Sequence, residues 1–292
     1  MNSWKKVSMS PTLQRILDLQ QIGVDRFSVP VIHGGDRIFG GHLLAQALMS
    51  AARTVEQDRQ PNSIHASFLR AGVAGTDLTF EVQRIRDGGS FSTRRVVIHQ
   101  QGRELLMATV SFHVGEAGED WQPSRAESTM PRIADASPIP SDARFGSVGS
   151  YEIRTVAPWT AGQPREGLHP YWVRADSNLG ESPALHYAAL LLISDLGIIR
   201  AARNPHSQVP GNEWAAMSLD HALWWHRAPR ADQWMLVEAE PTSNALGRGM
   251  AHGRIRAEDG TLLATLNQEV LLRMPARKPR AEQPAVAKAA DR

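Results

Sequence analysis

The feature that most constrains the fold of this chain is an internal repeat. Each half presents a strand-like segment, a long helical pattern and then strand-like segments separated by glycine turns. Residues that match between the halves lie 154 to 158 positions apart: Arg70 and Arg227, Gly102 and Gly260, and Arg94 and Arg248. A duplicated module of one long helix wrapped by an antiparallel β-sheet predicts an α+β fold, with the two sheets continuous or closely packed.

Composition divides the 292 residues into four segments. Residues 13–114 and 151–274 carry the periodic patterns of the two modules. Between them, residues 115–150 are rich in Gly, Pro, Ala, Ser and charge, which is typical of a linker or a surface excursion. Residues 275–292 are predicted to form a disordered tail.

The elements predicted closest to the chemistry are helices and two late strands. Apolar residues at helical spacing predict helices at Thr12–Ile22, Phe39–Val55 and Glu181–Ile199. Strands are predicted at Trp214–His226 and Leu262–Leu272. We expect the functional side chains on the long helices and on these two strands.

The bulk composition excludes several classes of protein. Thirty-two Lys and Arg against thirty Asp and Glu leave a net charge of +2, and the basic residues are dispersed, which does not indicate a nucleic-acid partner. There are no cysteines, and the histidines lack paired metal spacing, so no metal site is predicted. No signal-peptide core and no run of eighteen apolar residues occurs, so no membrane span and a cytoplasmic location are expected.

One carboxylate interrupts the apolar helical run Leu190–Ile199. At helical spacing Asp195 shares a face with apolar residues three and four positions away on either side, so its side chain is expected to point inward. Burying an unpaired charge is costly. The carboxylate therefore needs a partner such as Arg200, partial solvation near Gly197, or a reaction that uses it.

Two other polar residues stand near apolar rows. Gln268 has the same parity as Leu266 and Val270 in the last strand, so its amide should point where they point. Ser218 lies in the strand after the second long helix, and its parity leaves its direction open. Taken alone, each of these residues is more often structural than functional.

Several segments in combination resemble the type II acyl-CoA thioesterases, which are tandem double-hotdog proteins. The segments are R-I-F-G-G-H-L-L-A-Q-A-L (37–48), S-F-L-R-A-G (67–72), R-D-G-G-S-F-S-T-R-R-V (86–96), S-D-L (194–196), S-L-D-H-A-L-W-W-H-R (218–227) and N-Q-E (267–269). They appear in order across both repeats. The resemblance implies a fold of two hotdogs and an activity on acyl-CoA.

The resemblance also implies a catalytic group in the second hotdog. Its members are Asp195 in S-D-L, Ser218 before L-D-H, and Gln268 before Glu269. Serine stands where some members of the family have threonine, which keeps the hydroxyl and loses the methyl group that stiffens it. The resemblance also implies a homo-oligomer. The chemistry expected of this group requires no metal or organic cofactor.

Thioester hydrolysis suits these residue types. A carboxylate whose pKa is raised by desolvation can take a proton from water, and a hydroxyl with an amide can aim that water. Direct attack by Asp195 to form a mixed anhydride is the other route. Gly40 and Gly41 could polarise the carbonyl from a helix N-terminus or could serve close packing, and Arg94 could bind CoA phosphates or face solvent.

Two rival functions stay open at this point. A hotdog enoyl-CoA hydratase or dehydratase would use an Asp and His pair, for which Ser182–His186 is a weak motif. A non-catalytic acyl-CoA binding protein is the alternative from another class. In the first helix Gln46 is the expected counterpart of Asp195, so only the second module is predicted to carry the base.

Overall fold

A computed structural model describes residues 13, 16–29, 37–123, 130–138, 151–156, 170–203 and 215–273. Within these residues fourteen strands form one antiparallel sheet. The strands are β1 (Gln20–Gly23), β2 (Arg26–Val29), β3 (Gln60–Phe68), β4 (Leu78–Asp87), β5 (Phe91–Gln100), β6 (Arg103–His113), β7 (Ser137–Pro138), β8 (Tyr151–Thr155), β9 (Tyr171–Ala175), β10 (Ala215–Ser218), β11 (Asp220–Trp225), β12 (Met235–Ala245), β13 (Arg248–Ala257) and β14 (Leu262–Arg273). The helices are α1 (Gly40–Ala52), α2 (Pro183–Ser194) and α3 (Ile198–Arg203), with a 3₁₀ turn at Ile133–Asp135.

The two halves of the chain meet at the centre of this sheet. The strand order is β1, β2, β4, β5, β6, β3, β11, β14, β13, β12, β9, β8, β7, and β10 also pairs with β14. Strand β3 of the first half pairs with β11 of the second, from Ser67 opposite Asp220 to Ser63 opposite Trp224. The two predicted antiparallel sheets are therefore one continuous sheet.

Strand register shows that the two halves repeat each other. His65 faces Thr109 across β3 and β6, and Ala222 faces Asn267 across β11 and β14. Equivalent residues are thus 157 positions apart on the first strand of each pair (65 to 222) and 158 on the second (109 to 267). These are the offsets predicted from the matched arginine and glycine pairs.

One match within the repeat is wrong. Arg94 faces Val110 across β5 and β6, whereas Ala251 faces Gln268 across β13 and β14. Arg94 is therefore equivalent to Ala251 and not to Arg248. The repeat preserves the register of the backbone hydrogen bonds. Arg248 lies three positions from the residue that this register makes equivalent to Arg94, so the shared arginine is a coincidence.

The two main helices pack against each other and against the sheet. In α2 every residue from Leu185 to Ser194 is buried. The stretch Pro183–Arg203 is long and apolar enough to cross a membrane by length and composition, but 78% of its most apolar window is buried inside the protein. Its apolar surface on all sides is that of a core helix.

The helix predicted at Glu181–Ile199 is interrupted. Helix α2 ends at Ser194, and α3 begins at Ile198 after a break that contains Gly197 at φ 81°. A residue in the left-handed region ends a helix, and glycine adopts it without steric cost. The break takes Asp195 out of the helix interior and makes it the C-cap of α2.

The N-terminal prediction is confirmed at its start and differs from the structure at its end. Leu13, Ile16 and Leu17 are helical, whereas the residues predicted to end the helix Thr12–Ile22 form β1, which pairs with β2. The turn between the two strands includes Asp25 at φ 52°. Cross-strand pairing in this hairpin outweighs the helical pattern, because apolar spacing over so short a segment is a weak constraint.

Part of the predicted linker 115–150 belongs to the sheet. Strand β7 pairs with β8, and Ala136 packs on Trp172 and Leu236 beside it. A strand of two residues at the edge of the sheet needs few apolar residues. The composition of this segment therefore did not distinguish it from a linker. The predicted tail 275–292 lies outside the described residues.

Candidate active site

Asp195 lies where the C-terminal end of α2 meets the N-terminus of α1. As the C-cap of α2 it has φ −84° and ψ −8°. The next residue, Leu196, donates its N–H to the Ile193 carbonyl, and its own carbonyl accepts the Tyr171 hydroxyl from β9. The break in the helix is therefore held on both sides, which gives the carboxylate a defined position.

The carboxylate of Asp195 is buried, with 3% of the residue exposed. Burial raises its pKa from 3.8 to about 7, and hydrogen bonds from the Gln268 side chain and the Gly41 backbone N–H act in the lowering direction. Among the described residues Oδ1 has no hydrogen-bond partner. A carboxylate with a pKa near neutrality can exchange a proton with water at physiological pH.

Gln268 joins the other two predicted site residues. It lies on β14 between Leu266 and Val270, and all three are fully buried, so it points with them as its parity predicts. Its Nε2 donates to Ser218 Oγ at 2.8 Å and its side chain also donates to Asp195. One amide thus connects the carboxylate and the hydroxyl.

The direction of Ser218 depends on a β-bulge. The predicted strand Trp214–His226 is divided into β10 and β11 by Leu219, which adds one residue relative to β14. An added residue reverses the parity, and Ser218 therefore shares a face with His221. The ladder shows the extra residue, since four steps on one strand oppose three on the other: Ser218 faces Val270, and Ala222 faces Asn267.

His221 belongs to the same cluster, and sequence reasoning missed it. The residue is fully buried, with Nδ1 at 2.5 Å from Gln268 Oε1 and Nε2 at 2.9 Å from Ser194 Oγ. Burial lowers its pKa to about 4, so the ring is neutral at physiological pH. The sequence signal for it was the alternation that places His221 on the same face of β11 as the apolar residues Leu223 and Trp225. All three are buried in the structure.

Two glycines open α1 against the carboxylate. A Cβ on Gly40 would lie 2.7 Å from Asp195 Oδ2, and a Cβ on Gly41 would lie 2.6 Å from the Leu192 carbonyl oxygen. Only glycine permits this approach of α1 to the last turn of α2. The Gly41 N–H donates to Asp195, while Gly40 is half-buried beside it. The positive end of α1 thus faces the carboxylate.

Two family models match this chain. The first, described as the acyl-CoA thioesterase N-terminal domain, matches residues 29–113. The second, described as the acyl-CoA thioesterase C-terminal domain, matches residues 125–272. The chain belongs to the type II acyl-CoA thioesterases. It is an acyl-CoA thioester hydrolase with the hotdog fold of that family.

Individual relatives agree with this assignment. Acyl-coenzyme A thioesterase 8 of Mus musculus is 33% identical over 266 residues, which span 82% of this chain and 81% of the relative. Acyl-CoA thioesterase II TesB2 of Mycobacterium marinum is 34% identical, with a TM-score of 0.77 over 90% of this chain and 99% of the other. A protein of unknown function with a hot dog fold from Alicyclobacillus acidocaldarius has a TM-score of 0.77 at 20% identity, over 92% and 100% of the two chains, and shows the fold alone.

In this thioesterase Arg94 does not face solvent or substrate. The residue is 1% exposed, and its five N–H groups donate to acceptors of the first half: Thr54 Oγ1 and O, Arg86 O, Thr93 O and Asp87 Oδ1. No donor remains for a CoA phosphate. The guanidinium instead binds the residues that follow α1, so the expectation of a CoA contact is not supported.

The predicted counterpart of Asp195 in the first half of the thioesterase is Gln46. It lies in the middle of α1 and donates Nε2 to the Ile16 carbonyl at 2.9 Å. Helix α1 contacts β3, β4, β5 and β6, and the equivalent strands of the second half are contacted by α3 rather than by α2. The ends of α1 and α2 are therefore not equivalent, and the match of Gln46 with Asp195 stays a prediction.

The hydroxyl and the amide are missing from the first half. Strand register puts Pro61 at the position of Ser218 and Val110 at the position of Gln268. A cavity of about 530 Å³ lies beside Pro61, between the end of α1 and the start of α2, and its lining includes Leu48, Ala52, Phe112 and Pro183 and the acidic residues Glu56 and Glu181. The first half therefore has a cavity of its own but lacks the hydroxyl and the amide of the candidate site.

His186, the histidine of the weak hydratase motif, has a structural environment. Its Nδ1 accepts the Ala231 N–H at 3.1 Å, and its Nε2 lies 2.8 Å from the Gly180 carbonyl oxygen. Both nitrogens are thus used by backbone groups. Within the described part of the chain, no three His, Asp or Glu side chains are grouped as metal ligands.

Proposed function

We propose that this chain hydrolyses fatty acyl-CoA to a free fatty acid and CoA, with Asp195 as the general base and Ser218 and Gln268 orienting the water. The observation that carries the proposal is the Asp195 carboxylate, whose pKa is about 7 and which shares the Gln268 amide with the Ser218 hydroxyl. Membership of the thioesterase family supports acyl-CoA as the substrate. This chemistry requires no metal or organic cofactor.

The reaction begins when water gives a proton to Asp195 and its oxygen attacks the carbonyl carbon of the thioester. Negative charge then develops on the carbonyl oxygen, and we assign its stabilisation to the Gly40 N–H, since the Gly41 N–H is bonded to Asp195. The intermediate collapses by cleavage of the C–S bond. The proton passes from Asp195 to the sulfur, and CoA leaves as the thiol.

Attack by water is favoured over direct attack by Asp195. A desolvated carboxylate with a pKa near 7 is matched to proton transfer at neutral pH. Ser218 and Gly40 are half-buried and so are partly exposed to solvent, while Asp195 lies deeper. A water molecule bound between the hydroxyl and the carboxylate would meet a thioester that enters from solvent.

The test is thiol release from a panel of acyl-CoAs by the wild type and Asp195→Asn. The wild type should hydrolyse at least one acyl-CoA, and the variant should lose at least about a hundredfold in kcat. Asp259→Asn, in the turn between β13 and β14, is the matched control and should keep wild-type activity. Circular dichroism establishes that all three proteins are folded.

Three outcomes would contradict the proposal. Unchanged turnover by Asp195→Asn would remove Asp195 from the mechanism. Tight binding of acyl-CoA without thiol release by either protein would identify a binding protein. Hydration of an enoyl-CoA without thiol release would identify a hydratase.

We also propose the division into hotdogs at 13–114 and 151–274, with a tail at 275–292; the segment 115–150 connects the two and adds strand β7 to the edge of the second. The repeat in strand register supports the two modules. A homo-oligomer is proposed from the resemblance to the family, and a cytoplasmic location is kept as the expectation drawn from the sequence. Light scattering of the purified chain measures the oligomeric state, and a monomer would overturn that part.

A further inference from the structure

The Gln268 amide lies between groups with opposite requirements. Asp195 and Ser218 contact its nitrogen, and His221 contacts its oxygen. An amide has a donor end and an acceptor end, so a rotation of 180° would exchange them. An ionised carboxylate only accepts hydrogen bonds. For Asp195 to act as a base, the NH₂ end of Gln268 must therefore face it.

This orientation determines where the proton of His221 lies. Because Gln268 Oε1 is an acceptor, the Nδ1 atom 2.5 Å away must carry the proton. In the neutral ring Nε2 is then an acceptor. Ser194 Oγ, at 2.9 Å, supplies the proton to it, in competition with the Leu191 carbonyl at 2.7 Å from the same hydroxyl.

We propose that His221, backed by Ser194, is a positioning residue that holds the Gln268 amide with its N–H groups toward Asp195 and Ser218. The inference rests on the proposed function, since it concerns the same water site. With the proton on Nε2 instead, two lone pairs would meet between His221 and Gln268. The amide would then turn its carbonyl toward the carboxylate and withdraw a donor from it.

The first half of the chain provides an internal comparison. By strand register Ile64 stands at the position of His221 and faces Val110, which stands at the position of Gln268. Ile64 and Val110 are both fully buried. An apolar pair therefore fills this place in the half that lacks the catalytic group. The polar pair occurs only where an amide must be oriented.

Among the residues that the structure describes, few other charges act on the carboxylate. Tyr171 on β9 interacts electrostatically with Asp195, and burial raises the pKa of its hydroxyl, so it is neutral between pH 5 and 9. Arg200 on α3 interacts with Tyr171, and burial lowers its pKa, although a guanidinium stays protonated at neutral pH. His221 on β11 is neutral above about pH 5. Asp195 is therefore the group that titrates between pH 5 and 9 at this site.

The kinetic test compares His221→Ile and His221→Asn. Isoleucine is the residue at this place in the first half, whereas asparagine carries an NH₂ at the position of Nδ1 and can still donate to Gln268. We expect His221→Ile to lower kcat at least about tenfold with KM within about threefold, and His221→Asn to restore most of kcat. Loss of the Gln268 donor should also move the acid limb of the kcat profile of His221→Ile to higher pH.

A spectroscopic test reads the proton directly. In ¹⁵N-labelled wild-type protein at pH 7, the His221 resonance, assigned by its absence from His221→Asn, should show the proton on Nδ1. Ser194→Ala removes the donor to Nε2 and should let the ring populate both forms. A wild-type ring with the proton on Nε2 would overturn the proposal whatever the variants do.

The outcomes separate this inference from the proposed function. If Asp195→Asn is inactive while His221→Ile has the kcat and pH profile of the wild type, the positioning role is wrong and the general base stands. If Asp195→Asn keeps full activity, the proposed function fails even when the Nδ1 proton is found. If His221→Ile does not fold, Ser194→Ala decides, and wild-type kcat with an unchanged pH profile in that variant would overturn the role of the pair.

Discussion

Asp195 ionises less readily in the folded protein than in the unfolded chain. A pKa of about 7 against the ordinary 3.8 corresponds to a penalty of at most about 4 kcal/mol for the charged form. The sequence predicts the inward direction of this side chain from its apolar neighbours. The position at a helix end is decided by Gly197, whose left-handed backbone interrupts the helix.

Replacing Asp195 by asparagine should stabilise the protein in a pH-dependent way. Below pH 4 the carboxyl is protonated in both states and contributes no difference. Between pH 4 and 7 the unfolded chain ionises and the folded chain does not, so the wild type loses up to about 4 kcal/mol of unfolding free energy, which the variant keeps. Urea unfolding from pH 4 to 8 should show an advantage of Asp195→Asn that grows to pH 7 and then stays constant.

Asp259→Asn serves as a control of opposite sign. Hydrogen bonds from Thr261 hold the pKa of Asp259 below its usual value, so this carboxylate contributes stability above its unfolded pKa and loses it in acid. The control variant should therefore gain nothing between pH 4 and 8. An Asp195→Asn advantage that is independent of pH would show that the carboxylate is not desolvated in the folded state.

At the scale of elements, the site is a contact between the ends of two helices. Gly41 lets the first turn of α1 rest on the Leu192 carbonyl, and Gly40 lets it approach Asp195. Of the two roles that the sequence leaves as alternatives for these glycines, close packing is observed, and the same packing leaves the Gly40 N–H available for the role proposed for it. Helical periodicity identifies both helices, but it carries no information about which ends touch.

Gly40→Ala should reduce activity without unfolding the protein. Its Cβ would lie 2.7 Å from Asp195 Oδ2, so the carboxylate must move from its donors. We expect kcat to fall at least about tenfold, measured by thiol release, since small displacements of reacting groups have large effects. Gly89→Ala is the matched control, because a Cβ there meets nothing within 4 Å. Equal activity of the two variants would show that the start of α1 is not part of the site.

At the scale of the whole molecule, a duplicated fold carries one set of chemical groups. The central pairing of β3 and β11 joins the halves into one sheet, and register identifies the residues at equivalent positions. Pro61 and Val110 stand in place of Ser218 and Gln268. The first half therefore lacks the hydroxyl and the amide of the candidate site.

Equivalent substitutions in the two halves should have unequal effects. Ser218→Ala should lower kcat at least about tenfold, because the water loses one of its two orienting groups. Pro61→Ala, at the equivalent position of the first half, should change kcat less than twofold. Thiol release per folded molecule is the measurement. A comparable loss in both variants would mean that the first half also takes part in hydrolysis.

The sequence by itself determined the class of fold, the repeat and the inward direction of Asp195 and Gln268, because apolar periodicity is a local property of the chain. It also carried the resemblance that led to the family. Only the tertiary structure decided that Leu219 is a bulge, that His221 and Ser218 meet at Gln268, and that Arg94 is sequestered. These facts depend on strand register and on helix ends brought together from distant parts of the chain, which no local pattern encodes.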